Sequence, residues 1–246
     1  MALPDIGAWE VQLLRASFIS QQPVGKAEDW WQTAVGVAPE QVTSKPNVLE
    51  HSETGAFGPG RLDMRIAFNR ADWIYSAVDA GSPKLPVLGG ASDFLSALRK
   101  PVKTWLEAKG SEIPWIRVAF GAVLLMPVES IKAGNAAIGD YLPIFNAKES
   151  DVKDLFLQVN YPRDSKNLEG NVINRLIKLS TLSLQLINIT PAGPVPSVSD
   201  FMYCRAELDF STPVEHTSRL PVDKIVSIFD ELSDSAEAMM KEGVGP

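Results

Sequence analysis

Apolar and polar positions alternate with a period of two along much of this chain and change to a helical period in a few places. Leu14, Ala16 and Phe18 alternate with Leu13, Arg15 and Ser17, which predicts a first strand over 8–19. KAEDWWQTAVG, 26–36, predicts a short helix carrying Trp30 and Trp31, and Pro39 and Pro46 bracket a loop. Residues 47–78 predict a meander of antiparallel strands. There Leu62, Met64, Ile66 and Phe68 face one way, and Arg61, Asp63, Arg65 and Asn69 the other. GAFGPGR, 55–61, is the expected turn, and WIYSAV, 73–78, a further strand.

The Pro/Gly-rich linker GSPKLPVLGG then leads into SDFLSALRKPVKTWLEAKG. Its stripe of Phe94, Leu95, Leu98, Val102, Trp105 and Leu106 predicts a helix, N-capped by Ser92 and ended by Gly110. Pro101 inside the stripe predicts a kink or a break. WIRVAFGAVLLMPV, 115–128, is apolar on both faces and predicts a central, covered strand. VESIKAGNAAIGDYL is a weaker helix, because Gly134 and Gly139 lower its propensity. DLFLQVNY, VINRLIKLSTLSLQLINI and FMYCRAELDF predict three more strands. In the last, Met202, Cys204, Ala206, Leu208 and Phe210 alternate with Tyr203, Arg205, Glu207 and Asp209. A final helix has Pro221 in its first turn and Val222, Ile225, Val226, Phe229, Leu232, Ala236 and Met239 on one face, and Gly243 ends it.

These elements predict an α+β fold, with one or two antiparallel sheets packed against long amphipathic helices. Both halves run strand, short helix, several strands, long helix. Residues 1–110 and 111–246 are therefore two modules, or parts of one continuous domain; no residue motif repeats between them.

Composition narrows the chemistry. A net charge of −7 disfavours nucleic acid and anionic membrane as partners, although 23 Lys and Arg leave room for a local basic patch. The single cysteine, Cys204, excludes an intramolecular disulfide, and its strand register points it inward as a structural thiol. The N-terminal segment lacks a leader pattern, and the longest apolar run, 118–128, is short of the ~20 residues a spanning helix needs. The expectation is a cytoplasmic protein.

No Cys/His spacing suits a metal, so no metal or cofactor is expected. His51 and His216 are the candidate general bases of a hydrolase reading, against the plainer reading of two surface histidines. GAFGPGR lacks the GK[ST] of a phosphate loop. Glu207 and Asp209 share a strand face with Arg205, which suits a ladder of exposed charge better than paired-carboxylate catalysis. Arg61, Arg65, Arg117 and Arg175 would have to gather on one sheet face to bind nucleic acid. Trp30, Trp31, Trp73 and Trp105 would line a cleft if the protein binds a small molecule.

One stretch exceeds what folding asks of it. In VNYPRDSKNLEGNVINRL, 159–176, Pro162, Asp164, Ser165, Asn167 and Gly170 account for a polar hairpin loop, but Arg163 and Lys166 are not needed for a turn. Tyr161, Arg163, Asp164, Lys166 and Arg175 are the candidate partner- or ligand-binding residues.

IRVAFGAVLLMPV, and AELDF followed by the helix from Pro221, resemble an uncharacterised, sporadically distributed bacterial family of similar length. The resemblance covers about the last 140 residues. It implies no activity, and its sporadic distribution hints at mobile or defence-linked genes. The expected function is a non-enzymatic interaction component of a bacterial multiprotein system, with a protein as partner. The alternatives are a small-molecule binder and a hydrolase.

Overall fold

Every segment with a period of two becomes a strand, and the helical stripes become helices on one side of those strands. The computed structural model describes residues 3–25, 29–79, 81–141, 152–190 and 193–243. Its first half contains β1 (Glu10–Ser20), α1 (Trp30–Val35), β2 (Gln41–Lys45), β3 (Glu50–Phe57), β4 (Gly60–Ala67), β5 (Arg70–Ala77), β6 (Gly89–Gly90), α2 (Ala91–Phe94) and α3 (Arg99–Lys109). Its second half contains β7 (Trp115–Pro127), α4 (Ile131–Tyr141), β8 (Phe156–Asn160), β9 (Arg163–Asp164), β10 (Val172–Thr190), β11 (Gly193–Ser211) and α5 (Ile225–Glu242).

The fold is α+β, built on one antiparallel sheet of eleven strands in the order β2-β3-β4-β5-β1-β7-β11-β10-β8. β6 pairs with β1, and β9 with β10. The central pair, β1 and β7, stays in contact from Glu10↔Leu125 to Ser20↔Trp115. Outward from that pair the first half runs β5, β4, β3, β2 and the second half β11, β10, β8. A helix follows the first and the last strand in both halves.

The helices cover the face that carries Leu14, Phe18, Trp73, Phe120 and Phe210, all 0–1% exposed. Trp105 of α3 is the hub: its ring lies 5.1 Å from Phe18, 4.9 Å from Trp30, 5.5 Å from Trp73 and 6.0 Å from Trp115. Phe229 of α5 joins from the other half, 6.0 Å from Phe18 and 6.1 Å from Phe120. Each such side chain contributes roughly 1.5–3 kcal/mol by leaving water. Trp30, Trp31, Trp73 and Trp105 are therefore core residues and line no cleft.

Several expectations are corrected. The loop between Pro39 and Pro46 contains β2, an edge strand exposed at every position, so no apolar alternation marks it. Ser92 lies inside α2, and Gly90 is the cap. The helix breaks before Pro101, not at it, and Pro101 sits in the first turn of α3, where no N–H is required. Leu62, Met64 and Ile66 are buried as expected, but Phe68 is 55% exposed in the β4–β5 turn. β7 is central, yet no described helix covers its second face. Pro221 precedes a single 3-10 turn, Val222–Lys224, and Val222 is exposed. Lys26–Glu28, at the expected start of the first helix, and Leu142, at the expected end of α4, lie outside the described residues.

Candidate functional site

The loop 161–171 is anchored more firmly than its turn residues require. Glu231 of α5, 7% exposed, accepts three hydrogen bonds from it. The donors are the Ser165 hydroxyl at 3.0 Å, the Lys166 backbone N–H at 2.7 Å and the Asn167 side-chain amide at 2.9 Å. Ser165 Oγ also accepts from the backbone of Asn167 and Leu168, at 3.2 and 3.0 Å. Arg175 is buried on the helix-covered side, and its Nε donates to the Tyr161 carbonyl at 2.9 Å. Burial, and then the neighbouring Arg163 charge, lower the Arg175 pKa. The predicted residues thus divide. Arg163, Asp164 and Lys166 are exposed, Tyr161 is half-buried, and Arg175 clasps the loop base.

The other candidates resolve locally. His51 Nε2 lies 2.9 Å from Glu53 Oε1, two positions along β3 on the same face. His51 is thus half-buried rather than a surface histidine, and Ser52, its immediate neighbour, points to the opposite face. Cys204 is fully buried, and its Sγ donates to the Gly134 carbonyl at 3.3 Å. Burial pushes its thiol up to about 12. Glu207 pairs with Arg205 and, at 3.6 Å, with Lys178, so a charge ladder is present on β11. Among the described residues no group of three or more His, Cys, Asp or Glu is placed to hold a metal ion. No described helix is long and apolar enough to cross a membrane.

The sheet face that no described helix covers, the helix-free face, has a distinct centre. Arg61 and Arg65 pair with Asp63 there, at 3.5 and 3.1 Å, and Arg70 pairs with Asp72 at 2.8 Å. Lys178 and Arg205 share Glu207 on the far side. Between these groups Ser17, Ala119, Gly121 and Ser211 are too small to fill the surface. The guanidinium of Arg15 lies over Gly121: a Cβ there would sit 3.7 Å from both Nε and Nη2. Among the described residues Arg15 makes no ion pair and no hydrogen bond. Arg117 donates from Nη2 to Ser211 Oγ at 3.1 Å, and its buried Nε has no partner among the described residues. Arg15 and Asp209 flank Gly121 in register, across a hollow of about 290 Å³.

Arg61, Arg65 and Arg117 do share this face, while Arg175 lies on the other. Arg15 escaped the sequence analysis because its significance depends on Gly121, which only strand pairing places opposite it. No model of a known protein family matches the chain, and no characterised protein matches it at a significant level.

Proposed function

We propose that this protein is a non-enzymatic interaction component of a multiprotein system, and that the helix-free face of its sheet receives an acidic segment of a protein partner. One observation carries this: the two central arginines, Arg15 and Arg117, have no carboxylate among the described residues, while the cations around them are paired. Arginine presents a rigid fork of donors suited to carboxylates and recurs at interface hot spots. A bacterial and defence-linked setting belongs to the same proposal and rests on the resemblance of the second half, and a cytoplasmic one rests on the single cysteine. The exposed cations Arg163 and Lys166 supply a further anionic contact on the other side of the molecule.

The test compares tagged wild type with Arg15→Glu in affinity purification from the native host, at matched melting temperature. A partner recovered with the wild type should be lost with the variant, and wild-type recovery should fall as salt rises. Equal recovery by both proteins overturns the proposal. The small-molecule reading now moves from the tryptophans to the hollow over Gly121, where Arg15 and Asp209 would meet the two charges of a zwitterion. A melting temperature raised by free amino acids, and only with Arg15 intact, would favour that reading instead.

A further inference from the structure

One acid at the centre of the helix-free face is left as bare as Arg15. Asp63, Asp72 and Glu207 each pair with a cation on that face, at 3.1, 2.8 and 3.6 Å. Asp209 makes no ion pair and no side-chain hydrogen bond among the described residues. Arg15 and Asp209 are both half-buried, and a half-buried charge is costly until a counter-charge meets it. Register sets Arg15 one strand before Gly121 and Asp209 one strand beyond it, so their Cα atoms lie about 10 Å apart. They make no ion pair with each other.

Gly121 floors the hollow between them, and any larger side chain there would occupy it: a Cβ would lie 3.4 Å from the Leu208 carbonyl oxygen and 3.7 Å from Arg15 Nε. Leu13 and Val123 are among its walls, and apolar walls strengthen a charge pair formed between them. Arg117, whose Nε also lacks a partner among the described residues, stands four residues from Gly121 along β7, about 13 Å away. A free amino acid cannot reach from Asp209 past Arg15 to Arg117, whereas a segment of polypeptide can.

We infer that the partner segment carries a mixed charge pattern: a carboxylate that meets Arg15 and, two positions along, a lysine or arginine that meets Asp209. The inference rests on the acidic-segment reading of this face and names the charge order of that segment. Residues i and i+2 of an extended chain point the same way, about 6.5–7 Å apart. The Arg15 guanidinium lies over Gly121, on the way to Asp209, so the two charges to be met are closer than their Cα atoms. Asp209 separates this pattern from a purely acidic one by sign. It repels an acidic segment, so its removal should tighten such a segment, whereas a mixed segment loses a counter-charge and should weaken.

The test is an NMR titration of the full chain, read at the Gly121 amide and the Arg15 Nε–H. The probes are two end-capped alanine peptides, one with glutamate and lysine two positions apart and one with glutamate at both places, and free lysine as a small zwitterion. The mixed peptide should bind wild type with a Kd about two- to fivefold below that of the acidic peptide, the worth of one part-exposed ion pair. Asp209→Asn, which keeps the side-chain shape, should reverse that order, and Arg15→Gln should abolish the response to both peptides. An acidic peptide that binds wild type more tightly, and needs Arg15 to do so, overturns the inference and leaves the acidic-segment reading standing. So does a preference for the mixed peptide that survives Asp209→Asn. Peptides that shift neither signal at any concentration, or shift both without Arg15, overturn the inference together with that reading. Free lysine acting at the same concentration as the mixed peptide also overturns it, because a small molecule is then the occupant.

Discussion

Cys204 shows how a register position becomes chemistry. It faces α4 from β11, where Gly134 brings the helix so close that a Cβ would lie 2.4 Å from Thr181 Cγ2 and 3.2 Å from the Cys204 sulfur. The thiol is sealed there, and its pKa rises from 9.0 to about 12 through burial. Tyr141 rises from 10.0 to about 12 for the same reason. In both cases the folded chain keeps a proton that the unfolded chain loses. Their contribution is intact below the unfolded values and is lost as pH rises from about 9 towards 12. Cys204 therefore steepens the loss of stability across that window. Urea melts of Cys204→Ala should therefore show a shallower alkaline loss of stability than wild type. An identical slope would clear the thiol of any part in it.

Between elements, the clip from loop 161–171 to α5 places recognition and folding on different residues of one loop. Glu231 holds the loop with three donors and is itself buried, whereas Arg163 and Lys166 stay in water. Glu231→Ala leaves those donors without an acceptor and should cost about 2–4 kcal/mol. The double change Arg163→Ala with Lys166→Ala should cost no more than about 0.5 kcal/mol. Chemical denaturation of both variants checks the contrast, and a large loss in the double variant would place those cations inside the fold. The turn formers were legible from spacing alone. Their acceptor was not, because Glu231 lies 65 residues along the chain from Lys166 and reads in isolation as one more acid on an amphipathic helix.

For the whole molecule, the two mirrored halves share the β1–β7 ladder and an aromatic core in which Phe229 meets Phe18. Loss of either half would expose that seam. Unfolding in urea should be a single transition in which tryptophan fluorescence and far-UV circular dichroism coincide. Tryptophan weights the first half, with Trp9, Trp30, Trp31, Trp73 and Trp105 against Trp115, so an early fluorescence transition would reveal independent halves.

Local periodicity was enough for what each residue settles with its near neighbours. The strands other than β2, β6 and β9, the stripe on α5, the inward Cys204 and the polar turn at 162–170 follow from side chains alternating across a strand or repeating on a helix, and from turn formers. Where covering stops is decided over longer distances. β7 is apolar on both faces, yet the described helices cover only one, and small residues beside arginine side chains complete the other. Phe68 continues an alternating pattern through Ile66, but the hairpin reverses there and turns it into solvent. Arg15 over Gly121 and Glu231 under its loop join residues that are remote in sequence. Only strand register and the order of strands in the sheet bring them within reach, because hydrogen-bond and packing forces act over a few ångströms of space, whatever the distance along the chain.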